Sequence, residues 1–179
     1  MKKYIHLGDK YISCSSNISC TRLARYLHDN KQSGYEFLYG IPGTIAGAVS
    51  MNAGAFEREI MPYVHSLDLL DENGTIYTLK NTEISYSYRT SNINEKSIII
   101  SVKLLKQTTN FDMNLLNLLN QKRKISQPIN QLSCGCIFKN PSGDYAARLI
   151  DSAQLKGSRA GGIYTVSYTH LRAHETHTN

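Results

Sequence analysis

The densest run of residues able to approach a ligand is Gly40-Ile41-Pro42-Gly43-Thr44-Ile45-Ala46-Gly47. Glycine permits positive φ and lets backbone N–H groups come close to a bound group. With Thr44, this bend reads as a cradle for a pyrophosphate. It is not a P-loop, because no Gly-Lys-Ser/Thr follows, and it lacks the Gly-x-Gly-x-x-Gly spacing of a dinucleotide fold. A tightly packed turn leading into a small-residue helix, with no ligand, fits the same residues about equally well. A second constellation sits near the C-terminus, where His170 precedes His174-Glu175-Thr176-His177. A zinc-protease motif needs two residues between the glutamate and the second histidine, so that both imidazoles share a helix face. One residue stands there, so no metal site is expected. Cys14, Cys20, Cys134 and Cys136 form no Cys-x-x-Cys pairs, which argues against a zinc ribbon or a thioredoxin-like centre.

The elements around these residues are mixed. One or two short strands are expected within 4–13, around the Gly8-Asp9-Lys10 turn. Ser19 is placed to cap a helix running to His28, with Leu23, Tyr26 and Leu27 on one face, and Asn30 to Gly34 ends it with turn chemistry. Strands over 64–70 and 75–79 flank Asp71-Glu72-Asn73-Gly74, and Asn-Gly is a strong hairpin signal. Residues 97–105 read as a further strand whose Ile98, Ile99 and Ile100 suit a buried position. A helix over 112–124 would turn inward either Met113, Leu116 and Leu119 or Leu115 and Leu118. A shorter helix is expected over 144–153, stopped near Gly157. The polar stretch Lys106 to Asn110 is the natural boundary between sheet and helix.

With 179 residues, 41% of them hydrophobic, the chain can bury a real core. It contains nothing like the roughly 20 continuous apolar residues of a membrane span, nor an apolar run behind Lys2 and Lys3 that would mark a secretory leader, so the cytoplasm is expected. The net charge of +6 favours anionic partners. The cations are dispersed, however, with one cluster at Lys122-Arg123-Lys124, which does not mark a nucleic-acid binder.

Four blocks, taken together and in order, resemble the UDP-N-acetylenolpyruvoylglucosamine reductase (MurB) family. The first is Glu36 to Ala48 continuing into Met51-Asn52-Ala53-Gly54-Ala55, similar to that family's flavin-contacting signature. The second is Tyr88-Arg89-Thr90-Ser91. The third is Arg123-Lys124-Ile125-Ser126-Gln127-Pro128. The fourth is Ser133-Cys134-Gly135-Cys136-Ile137-Phe138-Lys139-Asn140-Pro141, with Gly143-Asp144-Tyr145-Ala146 and Leu155-Lys156-Gly157. The resemblance covers residues 1 to about 164.

It implies an α+β chain: the second part of a vanillyl-alcohol-oxidase-type FAD-binding domain over 1–106, a partial substrate-binding domain over 107–164, and a tail over 165–179 that reads as foreign. The implied reaction takes a hydride from NADPH through FAD to the enolpyruvyl double bond of UDP-N-acetylglucosamine enolpyruvate, yielding UDP-N-acetylmuramate for peptidoglycan. Such chemistry needs a cation beside the developing enolate and a positioned acid. The resemblance gives the cofactor to Gly40, Ile41, Pro42, Gly43, Thr44, Gly47, Ala48, Asn52, Ala53 and Gly54. Arg89 is implied as the enolate-stabilising cation, and its planar fork suits a carboxylate better than lysine would.

Cys136 stands where the family usually has a proton-donating serine; a thiol, with a reference pKa of about 8.5, is a better acid than a hydroxyl. Cys134 is expected to pack as an apolar filler. Lys124 and Asn140 match substrate-holding positions, though Lys124 equally suits a helix C-terminus and Asn140 an Asn-Pro turn. A UDP-sugar partner, a monomer, no nucleic acid and no membrane complete the expectation.

Two departures qualify it. The family's Gly-Gly-Gly-Ser-Asn phosphate loop has no counterpart before Lys2, and beyond Tyr164 the pattern stops without its acidic catalytic residue. Weak FAD binding and little turnover are therefore expected of this polypeptide. Rival readings are an inactive fragment that only folds or binds, a basic nucleic-acid module, and another oxidase of the same flavin fold.

Overall fold

A computed structural model describes residues 2–108, 110–126, 138–160 and 163–164. Its centre is a five-stranded antiparallel sheet of β1 (Ile5–Leu7), β2 (Tyr11–Ser15), β3 (Val64–Leu70), β4 (Ile76–Lys80) and β5 (Ile98–Leu105), in the spatial order β1-β2-β5-β3-β4. Helices and loops cover one face, so the strands alternate between core and solvent. Ile12, Cys14, Leu67, Leu69, Val102 and Leu104 point inward and are fully buried. On the other face Asp68 accepts hydrogen bonds from Ser101 Oγ (2.6 Å) and Thr78 Oγ1 (2.8 Å), a polar row suited to water.

The expected strands are present, but the isoleucine run does not enter the core whole. Ile99 is buried, whereas Ile98 is 65% exposed and Ile100 half-buried. Pleating sends neighbours to opposite faces, and only one face is covered. A shift in register, from Asp68↔Ser101 to Leu69↔Ile99, then inserts Ile100 as an extra residue that restores the inward phase at Val102. The hairpin between β3 and β4 forms as expected. Asp71 Oδ1 accepts from the backbone N–H groups of Asn73 (2.9 Å) and Thr75 (2.7 Å), while Gly74 takes φ +82°.

Helix α1 (Cys20–Asp29) begins where its cap predicts, with Ser19 Oγ accepting from Arg22 N–H at 3.2 Å. Its buried stripe is Cys20, Leu23, Ala24 and Leu27, the i, i+3, i+4, i+7 set. Tyr26 lies off that stripe and is 37% exposed, correcting the expected face. The helix ends in a Schellman pair, Gln32 N–H to Leu27 O and Lys31 N–H to His28 O, with Lys31 at φ +56° where glycine is usual.

Helix α2 (Ile45–Ser50) buries Ile45, Ala48 and Val49 and lies against β5. Between the two helices, Tyr35 and Phe37 fill the core, and the Tyr35 hydroxyl donates to Leu105 O at 2.5 Å.

Helix α3 (Leu115–Ser126) starts later than expected, after Asp112 Oδ1 accepts from Asn114 N–H at 2.8 Å. Neither inward set holds complete: Met113 and Leu118 are 66% and 47% exposed, and the buried positions are Leu116 and Arg123. These lie seven residues apart on one narrow stripe, which meets the 3-10 turn Glu36–Leu38. Helix α4 (Ala146–Ser152) and the left-handed Gly157 match the expected second helix and its stop.

Two measurements follow from this packing. Ser19→Ala removes a hydrogen-bonded cap and should cost about 1 kcal/mol in urea unfolding. Burial pushes the Cys14 thiol up to about 12 and Cys20 to about 11, from 9.0. A raised folded pKa gives stability that is complete below pH 9.0 and lost as pH rises through 11 to 12. The unfolding midpoint should therefore drop above pH 9.0, less steeply in Cys14→Val. Iodoacetamide at neutral pH should label neither thiol until the chain unfolds, as read by mass spectrometry.

Candidate active site

Three segments converge at Asn52. It closes α2 in a second Schellman pair, with Ala53 N–H to Ala48 O at 2.7 Å and Asn52 N–H to Val49 O at 3.1 Å. That geometry holds Asn52 at φ +42°, a conformation asparagine tolerates better than most residues. The side chain is fully buried. Its Nδ2 donates to Glu59 Oε2 (2.7 Å) and Ser87 O (3.0 Å), and its Oδ1 accepts from Met61 N–H (3.2 Å).

Glu59 arrives on a tight hairpin. Gly54–Ala55 pairs with Arg58–Glu59, and the two connecting residues, Phe56 and Glu57, take φ +55° and +62°. Left-handed values at both centres make a type I′ turn, normally the province of Asn-Gly. Gly54 is required for a different reason: a Cβ there would lie 2.1 Å from Arg58 O.

Arg89 arrives on a second two-residue turn, between Tyr86–Ser87 and Thr90–Ser91, at φ +53°. Its guanidinium is buried and donates through Nη1 to Asn52 O (3.2 Å) and through Nη2 to Gly54 O (2.8 Å). Nη1 stands 3.5 Å from Glu59 Oε1, and the guanidinium carbon lies 4.8 Å from the Tyr88 ring centroid. Ser91 Oγ ties the same hairpin to Ser50 O at 2.8 Å. Of the six left-handed non-glycine residues among those described, Asn52, Phe56, Glu57 and Arg89 lie here. Strain of this kind persists only where the surroundings over-determine it.

The glycine bend divides into two roles. Pro42, Gly43, Thr44 and Gly47 are exposed, Gly43 takes φ +108°, and a Cβ on Gly43 would meet nothing within 4 Å. Those four present open backbone surface. Gly40 is different, because a Cβ there would lie 2.7 Å from Arg123 Cδ, so its freedom serves packing. Ile41 and Ala53 are half-buried, and Ala48 and Gly54 are buried. At the start of α2, the Ile45 and Ala46 N–H groups bond Ile18 O (2.8 Å) and Ser16 O (3.0 Å), and Gly47 N–H bonds Thr44 Oγ1 (3.4 Å). Those amides are spent inside the fold.

The structure thus brings Arg89 against Asn52 and Gly54. Lys124 is exposed in the last turn of α3. Asn140 Oδ1 accepts from Ala146 N–H at 3.0 Å, holding the start of α4. There Arg148 grips Asp144 and holds its carboxyl down to about 2. Cys134 and Cys136 lie outside the described residues, as does the His170–His177 stretch.

Two residues that hold these segments in place were not read as doing so in the sequence. Glu59 was hidden because Phe56-Glu57 carries no hairpin signature. Arg123 was read as one cation in a cluster and as the first residue of the third block, with no packing role, yet it is 4% exposed, donates to Phe37 O at 3.5 Å and lies 5.4 Å from the Phe56 ring centroid. Its spacing from Leu116 on the helix was the available signal.

Comparisons with known proteins identify the relatives of this chain. A family described as "FAD binding domain" matches residues 1–80, and "UDP-N-acetylenolpyruvoylglucosamine reductase, C-terminal domain" matches 127–177. The chain is 37% identical over 163 residues to the UDP-N-acetylenolpyruvoylglucosamine reductase of Chlamydia felis, covering 90% of this chain and 55% of that protein. It is 38% identical over 165 residues to the reductase of Caldanaerobacter subterraneus subsp. tengcongensis, covering 90% and 54%. The crystal structure of the same reductase (MurB) from Thermus caldophilus superposes with a TM-score of 0.72 at 29% identity, over 84% of this chain and 57% of that one. The chain spans about half the length of the curated relatives it matches. The ordered sequence blocks, the α+β fold and these relatives together place the chain in the UDP-N-acetylenolpyruvoylglucosamine reductase family.

Proposed function

We propose that this chain carries the flavin-facing bend and the substrate-side arginine of an NADPH-dependent reductase acting on UDP-N-acetylglucosamine enolpyruvate. The observation that carries this reading is the buried Arg89 guanidinium, aimed and immobilised by Asn52 O, Gly54 O and Glu59. A preorganised cation of this kind stabilises charge that develops late in a reaction without reorganising to do so. An enolate formed beside it is the charge that the reaction requires.

The bend fits FAD on one physical ground: the exposed Pro42–Thr44 backbone, with Gly43 left-handed and unobstructed, admits a close planar neighbour. FAD, when bound, supplies hydride transfer between NADPH and the enolpyruvyl double bond. The chain's own residues divide the remaining work. Arg89 holds the carboxylate end, Cys136 gives a proton to the carbon adjoining the new C–H bond, and Lys124 and Asn140 hold the sugar diphosphate. Thr44, Gly47 and Ile41 line the cofactor side, with Ala48, Asn52 and Gly54 supporting them from beneath. This assignment divides the chain near Lys106, with the cofactor side over 1–106 and the substrate side over 107–164.

A cytoplasmic monomer acting on a UDP-sugar, without nucleic acid or membrane, is the companion reading. Among the described residues no helix is long and apolar enough to cross a membrane.

The alternative expected from the sequence is a polypeptide that folds and binds flavin weakly without turning over. Titration of the purified chain with FAD, followed by flavin fluorescence, together with substrate-driven NADPH oxidation, separates the two. Saturable but weak FAD binding is expected. Gly43→Ala, which forces a side chain into a left-handed position, should weaken that binding about tenfold with the circular dichroism unchanged. Any turnover should fall roughly 100-fold in Arg89→Lys while FAD affinity holds. Tight stoichiometric flavin with full turnover removes the second reading, and absence of saturable FAD binding overturns the first.

A further inference from the structure

We infer that Glu59 is a positioning residue, one carboxylate that sets Arg89 and the Asn52 loop as a single unit. This rests on the reading above that Arg89 faces the substrate. The two oxygens do different things. Oε2 accepts from Asn52 Nδ2 at 2.7 Å, while Oε1 stands 3.5 Å from Arg89 Nη1. Asn52 O in turn accepts from that same Nη1 at 3.2 Å, closing a ring through three side chains and one backbone carbonyl.

The cost at which the chain places this carboxylate argues that its position matters. Phe56 and Glu57 both adopt left-handed backbone to reverse the strand within two residues, an expensive choice for a bulky aromatic. Gly54 must lack a side chain for Glu59 to pair beside it. Arg89 would keep its two carbonyl acceptors without Glu59 but would lose the carboxylate 3.5 Å from Nη1, and removing one partner of a buried ion pair is costly. Glu59 therefore biases which way the fork points, because its charge sits beside Nη1 on one edge of it.

Two substitutions divide these tasks. Glu59→Gln keeps the length and an acceptor for Asn52 but removes the charge facing Arg89. Glu59→Asp keeps the charge and withdraws it by one methylene, so that both partners can no longer be reached together. The direct readout is the Arg89 Nε–Hε cross-peak in an ¹H–¹⁵N spectrum of the chain, assigned by its disappearance in Arg89→Lys.

In Glu59→Gln that peak should shift and exchange faster with water, while the Asn52 side-chain amide and the backbone amides of 52–54 stay in place. In Glu59→Asp both sets should move. Where FAD-dependent turnover is measurable, Glu59→Gln should lower kcat about tenfold and leave KM and FAD affinity within about twofold, a split that a loosened fold does not produce. An Arg89 peak unchanged in both variants overturns the inference, and so does global unfolding of both, which would make Glu59 a fold residue. A wild-type chain that neither binds FAD nor turns over overturns the reductase reading alone, since the Arg89 spectrum still reports on Glu59.

Discussion

One buried carboxamide holds the working end of this molecule together. Asn52 terminates α2, receives the N–H of Met61, and donates to both Glu59 and the backbone of Ser87. The end of α2, the nearby Glu59–Met61 stretch and the distant Ser87 thereby share one side chain, with both of its polar ends in use. An unsatisfied buried amide costs far more than a satisfied one gains, so these segments are bound to form together. Aspartate, lacking the donor, and alanine, lacking both groups, would each leave buried partners stranded. The left-handed backbone at the same residue narrows the choice further.

Around that amide the division between packing and exposure is sharp. Glycines that look alike in sequence are used for opposite purposes: Gly54 and Gly40 admit protein atoms, whereas Gly43 faces open space. A glycine count therefore says little about where a ligand lies. Nor does the start of α2 offer spare amides for an anion, because Ile18 and Ser16 have taken them. What the bend offers is shape: exposed backbone around one unobstructed, left-handed glycine.

Local chemistry was legible in the sequence; partnership across the chain was not. Ser19 and Asp71 act on residues two to four positions away, and both could be read directly from their neighbours. The α+β class followed from mixed periodicities and from the family resemblance. The bulge at Ile100 could not be read, because register belongs to the pair of strands and not to either one. Arg89 was identified by resemblance as the enolate's cation, but its carbonyl acceptors lie 37 and 35 positions away. Glu59 carried no pattern at all, since its hairpin turns on Phe-Glu. On α3 the hydrophobic pattern misled: an amphipathic repeat suggested several inward leucines, whereas the contact is made by Leu116 and the aliphatic stem of a buried arginine.

That arginine has a consequence of its own. Arg123 rests its side chain where a substituent on Gly40 would stand and bonds the carbonyl of Phe37. The long helix is thus keyed into the root of the exposed glycine bend by one removable peg. Whatever tightens the bend must also tighten the seat of the helix, and whatever lifts the helix loosens the bend by the same free energy. The root of the bend and the seat of the long helix thus share one wall, built on the stem of Arg123 beside Leu116.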